Sequence, residues 1–203
     1  MIRRPPRATI YPFTTLFRSN LTVLTGPSGV GKGTIVRKIL ESHSDVWLSI
    51  SATTRQPRSG EIEGEHYFFL EKKNFQEIID KDGFLEWASF SNNFYGTPKK
   101  IVKEKIEKGT NVLLEIELGG ARQIRKSFPE AFQIFLAPPN LYELEKRIRG
   151  RGTETEESIR DRLSIAEKEL VAQKEFDAVV INEDIEKAFK EIEGLMGLKT
   201  KSY

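Results

Sequence analysis

The sequence predicts an α/β protein: a three-layer phosphate-loop fold with a central parallel sheet and an inserted lobe of short antiparallel strands. Three observations predict it. A short β-branched run, Leu21 to Thr25, leads directly into the glycine-rich turn Gly26 to Gly33, and apolar residues then recur at helical spacing at Ile35, Val36, Ile39 and Leu40. Apolar strand-like runs and amphipathic stretches alternate through much of the chain, which puts helices on both faces of a parallel sheet. Two stretches break that rhythm: Ser51 to Pro98 reads as an inserted lobe of short antiparallel strands, and Gly150 to Glu157 as a Gly-flanked, basic-then-acidic loop.

Taken in order, Leu21–Thr25 is a strand and Thr34–Ser42 a helix. Ser51 to Pro98 is rich in turn residues and aromatics, with one helix expected near Asn74–Lys81; Phe68, Phe69 and Phe84 read as packing. A helix over Lys99–Lys108 ends at Gly109, and Asn111–Glu117 is a buried-type strand. Ala131–Ala137 is a strand closed by Pro138 and Pro139. Leu141–Arg149, Thr155–Phe176 and Ile185–Met196 have helical patterns, with a short strand at Ala178–Ile181. The core is thus 20–50, 98–142 and 173–203, and Gly150 to Glu157 is a loop suited to movement.

Composition narrows the function classes. Of 203 residues, 32 are Lys or Arg and 30 Asp or Glu, a formal +2, so no global field recruits nucleic acid or an anionic membrane. An anion site must be local. The chain has no cysteine and only two histidines, His43 and His66, which removes thiolate chemistry and leaves little for zinc. His66 is expected to pair with a neighbour or face solvent, and His43, at a helix end, to lie at the surface. No apolar run approaches the roughly 20 residues of a membrane helix. A cytoplasmic monomer or homodimer is expected.

The first nineteen residues differ from the rest, with Arg3, Arg4, Arg7 and Arg18, no acid, and Pro5, Pro6 and Pro12. The prolines oppose the amphipathic helix of a transit peptide, the alternative reading. The segment resembles translated synthetic adaptor sequence, so residues 1–19 are expected to be a non-native or disordered extension.

The run Gly26, Pro27, Ser28, Gly29, Val30, Gly31, Lys32 sits between a strand and a helix, the context that gives the pattern meaning. Its glycines let backbone N–H groups turn onto an anion, the helix start adds its positive dipole end, and Lys32 adds a full charge. The residue after the lysine is Gly33, and the hydroxyl is displaced to Thr34. Mg²⁺ accompanying a nucleotide is therefore expected to be held mainly by phosphates and water, with no dedicated protein metal site.

Beyond the loop, Arg55 and Arg58 sit in one turn with Glu61 and Tyr67 nearby, a phosphate grip or a solvated surface turn by chemistry alone. The stretches TTRQPRSGE, GEHYFF, FLEWASFSNNFYGTP and RGRGTETEESIRDRL, in this order after a phosphate loop, resemble the guanylate kinase family from about Leu21 to Met196. That resemblance implies an ATP:GMP phosphotransferase whose inserted lobe binds GMP. It implies ATP at Gly26 to Thr34 and Asn182, and the GMP phosphate at Arg55 and Arg58 with help from Tyr67 and Tyr95. Ser51, Glu86 and Thr97 would face guanine, and Glu61 would orient Arg58 or Tyr67. The resemblance further implies a helical lid, about 143–172, whose Arg147, Arg151 and Arg162 would act in catalysis with Lys32 and Arg55, whereas Arg149 matches no family role. A carboxylate such as Glu86 accepts from both N1–H and the 2-amino group of guanine, a donor pair adenine lacks. Without the resemblance, Glu86 reads as an ordinary surface acid.

The family usually has aspartates at the positions of Glu115 and Glu117 and a glutamine at Gly119; these two acids are carried over as GMP-side residues whose longer side chains change reach, and an acid at the end of this strand either meets the guanine edge or holds Mg²⁺ through water. Two alternatives stand beside this reading. The run Gly31-Lys32-Gly33-Thr34 also resembles adenylate kinases, and some guanylate-kinase-like domains are non-catalytic protein-binding modules.

Overall fold

In the computed structural model, which describes residues 20–150 and 155–198, the elements follow in the order β1 (Leu21–Thr25), α1 (Lys32–Ser42), β2 (Val46–Leu48), β3 (Ala52–Thr53), β4 (Phe68–Phe69), α2 (Lys72–Asp80) and β5 (Phe84–Phe90). There follow β6 (Asn93–Pro98), α3 (Lys99–Glu107), β7 (Asn111–Glu115), α4 (Leu118–Ser127), β8 (Phe132–Ala137) and α5 (Leu141–Arg149). The chain ends with α6 (Glu156–Val171), a 3-10 turn at Ala172–Glu175, β9 (Ala178–Ile181) and α7 (Ile185–Met196). The expected extension 1–19 and Arg151 lie outside the described residues.

The main sheet is parallel throughout, in the order β2-β7-β1-β8-β9. β1 is its middle strand and is buried along its whole length, so the loop that follows emerges from the most constrained part of the fold. Successive β1 residues point to opposite faces. Leu24 joins one apolar layer with Ile35, Ile39, Ile134, Leu144 and Ile192, while Val23 joins the other with Leu85, Val102, Leu114 and Ile124.

The inserted lobe has its own sheet, in the order β4-β3-β6-β5, and its own small core of Ala52, Phe75 and Phe84. Phe75 stacks on Phe84 and Phe94, at ring separations of 4.3 and 5.5 Å. β5 and β6 form a hairpin whose turn residues Ser91 and Asn92 take left-handed φ of 48 and 61°. Antiparallel pairing holds for β3–β6 and β5–β6, but β3 and β4 pair parallel. The connection from Thr54 to Tyr67 crosses over and returns in the same direction, which a hairpin cannot do.

Two elements are absent from the sequence reading. β2 is only three residues long, and α4 begins at Gly119-Gly120, poor helix formers that hide the apolar pair Ala121 and Ile124. The long helix expected over Thr155–Phe176 ends at Val171 and tightens into the 3-10 turn. His43 is not a surface residue: at 4% exposure it caps the end of α1 and its Nε2 meets Glu193 Oε1 on α7 at 2.6 Å. His66 accepts a bond from the Ile62 N–H at Nδ1, a pairing with a neighbour.

Candidate active site

The phosphate loop leaves the end of β1 and enters α1 with Gly26, Gly29 and Gly31 at φ of 146, 85 and 104°. Glycine is required there for space as well as for φ. A Cβ at Gly26 would lie 2.2 Å from the Leu136 carbonyl oxygen, and one at Gly31 would lie 2.6 Å from Asn182 Nδ2. Lys32 folds over the loop, its Nζ donating to the Gly26 carbonyl at 2.6 Å and to that of Pro27 at 3.3 Å. Ser28, Gly29, Gly31, Lys32, Gly33 and Thr34 line a cavity of about 290 Å³, completed by Arg37 and Glu115.

Behind this cavity the loop is braced. Asn182, buried after β9, donates from Nδ2 to the Val30 carbonyl at 2.8 Å. Arg147 on α5 donates to the carbonyls of Asn182 and Val30, at 2.7 and 3.4 Å. Arg162 on α6 donates to Ser28 Oγ at 2.6 Å. Arg147 and Arg162 thus both reach the loop, Arg162 at Ser28 and Arg147 through the backbone. Arg149 instead pairs with Glu145 and Glu156 at the surface of the lid.

A second cavity, of about 430 Å³, lies between the lobe and the start of α4 and is lined by Ser51, Tyr67, Glu86, Tyr95, Glu115 and Glu117 among others. Glu86 is 8% exposed, and Thr97 Oγ donates to its Oε1 at 2.6 Å. Burial pushes the Glu86 carboxyl above its usual range; the Thr97 hydroxyl and N–H pull back and Glu117 adds to the rise. Thr97, itself fully buried, therefore faces the carboxylate directly. Glu115 lines both cavities, so they meet at its side chain. Enclosure raises the Glu115 carboxyl as well, with Lys32 pulling the other way.

At the far side of the second cavity the Arg55 guanidinium donates to both oxygens of Glu61, at 2.8 and 2.9 Å. It lies over the Tyr67 ring at 5.3 Å, and Tyr67 meets Tyr95 edge-on at 6.2 Å. Glu61 also accepts the Arg58 N–H at 2.7 Å. Of the expected partners Arg58 and Tyr67, Glu61 meets Arg58 through this backbone N–H, while the side chain it holds is that of Arg55, whose planar fork matches the carboxylate. Arg55 holds Glu61 down to about 2, so the pair stays charged across any working pH. Arg58 itself is exposed, and neither it nor Arg55 is part of the cavity lining.

One residue near this centre is absent from the sequence reading. Glu169 on α6 is raised by burial, drawn down by Lys32 and pushed up by Glu117, so its carboxylate feels both the loop and the second cavity. Half of the positions in its helix are charged, and nothing in spacing alone separates it from Glu167.

A phosphate loop at one end, a buried carboxylate and a clamped arginine at the other, and two cavities joined between them define a phosphate-loop kinase with separate donor and acceptor sites. The family model for guanylate kinase matches residues 18–198. The chain is 97% identical over 180 residues to a guanylate kinase of Prochlorococcus marinus strain NATL2A, covering 89% of this chain and 97% of that protein. It is 62% identical over 178 residues to a guanylate kinase of Prochlorococcus marinus strain MIT 9313, covering 88% and 94%. The crystal structure of guanylate kinase from Anaplasma phagocytophilum superposes with a TM-score of 0.67 at 31% identity, over 90% of this chain and 86% of that one. The chain belongs to the guanylate kinase family.

Proposed function

We propose that this guanylate kinase transfers the γ-phosphoryl group of ATP to GMP, giving ADP and GDP, with the two cavities as donor and acceptor sites. ATP phosphates lie in the Gly26–Thr34 loop against Lys32, and Asn182 stiffens the loop from behind. GMP lies in the second cavity, its phosphate at Arg55 with Arg58, Tyr67 and Tyr95, and its base against Glu86 and Thr97, with Ser51 and Glu117 at the edge. The acceptor phosphate oxygen then attacks the γ-phosphorus in line, and the bond to the ADP oxygen breaks. The step needs alignment and positive charge more than a strong base, and Lys32, Arg55, Arg147 and Arg162 supply that charge, with Arg151 assigned beside them.

Mg²⁺ fits the donor site. Thr34 and Glu115 present only hard oxygen donors to the loop cavity, the set this ion favours when phosphates complete its shell. They are the residues that would hold it, directly or through water. Bound there, the ion neutralises charge on the phosphate oxygens.

The observation that carries the guanine assignment is the buried Glu86 carboxylate, tied to Thr97 and facing the acceptor cavity. Replacing Glu86 with Gln turns one acceptor into a donor that opposes a guanine N–H. Steady-state kinetics of Glu86→Gln should show kcat/KM for GMP lower by about 100-fold or more, with KM for ATP close to unchanged. A parallel loss for both substrates would remove Glu86 from base selection.

A further inference from the structure

Resting on the assignment of Glu86 to guanine, we propose that Gln123 on α4 is a positioning residue for base selection, its side-chain amide locking the edge strand that carries Glu86.

β5 is the last strand of the lobe sheet, so the backbone groups it turns away from β6 have no strand partner. Trp87, the residue after Glu86, presents both of its groups outward. Gln123 satisfies both: its Nε2 donates to the Trp87 carbonyl at 2.9 Å, and the Trp87 N–H donates to its Oε1 at 3.1 Å. One side-chain amide thus does the work of a neighbouring strand residue. Four residues further along α4, Ser127 Oγ donates to the carbonyl of Leu85, the residue before Glu86, at 2.6 Å.

The two spacings match. Four helical residues advance about 6 Å and two strand residues about 6.6 Å, so one face of α4 can pin alternate residues of β5. The helix also meets the carboxylate: a Cβ at Gly120, one turn before Gln123, would lie 3.0 Å from Glu86 Oε2. One helix therefore pins both flanks of Glu86, and its Gly120 leaves room for the carboxylate. Leu85 belongs to the core of the main sheet while Phe84 belongs to the lobe core, so the lock fixes the base-reading carboxylate to the body of the protein. The phosphate-gripping Arg55, by contrast, sits on the lobe beyond β3.

The test uses Gln123→Met, which keeps side-chain length and removes both hydrogen bonds, and Ser127→Ala, which removes the other pin. Kinetics are measured with GMP, with IMP, which lacks the 2-amino donor, and with ATP varied at saturating GMP. For Gln123→Met the expected result is a rise of about ten-fold in KM for GMP, little change in kcat or in KM for ATP, and a fall in the GMP-over-IMP preference. Ser127→Ala should give a smaller change of the same sign, and it decides the matter alone if Gln123→Met does not fold. Equal losses for GMP and IMP, a matching rise in KM for ATP, or GMP kinetics unchanged in the folded variants would overturn the inference. The unaltered protein separates the two readings: no preference for GMP there sinks the guanine assignment and this inference together. A clear preference that survives in both variants sinks only the role of Gln123.

Discussion

At the scale of single residues, the site is built from charges whose neighbours are already in place. Arg55 is bound by Glu61 and lies over the Tyr67 ring, so little side-chain entropy would remain to be lost on gripping the phosphate proposed for it. Glu86 is the reverse case, a carboxylate that burial makes reluctant to ionise and that the guanine N–H pair would stabilise. The sign of the pH effect follows. With its pKa raised in the free protein, Glu86 takes up a proton at higher pH than an ordinary glutamate. The protonated form cannot accept both guanine donors, so KM for GMP should climb as pH falls toward and through the raised value. KM for ATP should not follow that climb, and pH profiles of both constants, compared with those of Glu86→Gln, check this. The lysine in its glycine loop was legible through chemistry, whereas the two arginines in a turn and the Glu86 carboxylate were singled out only by the resemblance. Partner choice was not legible, because Arg55 and Arg58 are equivalent in sequence and only the turn decides which fork reaches Glu61.

At the scale of elements, strands and helices with an uninterrupted pattern were readable to the residue, as β1, α5, β9 and α7 show. Those built from short or glycine-broken runs were not. α4 is the instructive miss: Gly120, which weakens the helix signal, is the residue that lets the helix approach Glu86. The local rule fails where the site needs close contact. His43 failed for another reason, since its burial depends on α7, 150 positions away along the chain. It joins the end of the phosphate-loop helix to α7, and Glu193 is only 7% exposed. His43→Leu leaves that carboxylate without its partner and should cost about 2 kcal/mol, a fall of several degrees in Tm. His43→Gln, which keeps a donor, should recover much of it. Equal melting temperatures for His43→Leu and the unaltered protein would show that the pair contributes nothing.

At the scale of the whole molecule, the parallel sheet delivers the donor loop from its middle strand, and the lobe brings the acceptor cavity to the same end. Glu115, at the end of β7, stands where the two meet. On the proposed assignment the roles separate physically: Lys32 would serve transfer to any acceptor, whereas Glu86 would distinguish one base from another. Lys32→Ala should therefore lower kcat by about 100-fold or more without changing which monophosphate is preferred, a result that a non-catalytic binding module could not give. The most direct measurement is kcat/KM for GMP, AMP, UMP and CMP under one set of conditions with MgATP as donor. The account predicts GMP above each of the others by about 10⁴-fold, the scale on which a site built for hydrogen-bonding rejects an analogue that lacks the matching donors. AMP or a pyrimidine monophosphate turned over as well as GMP would contradict it.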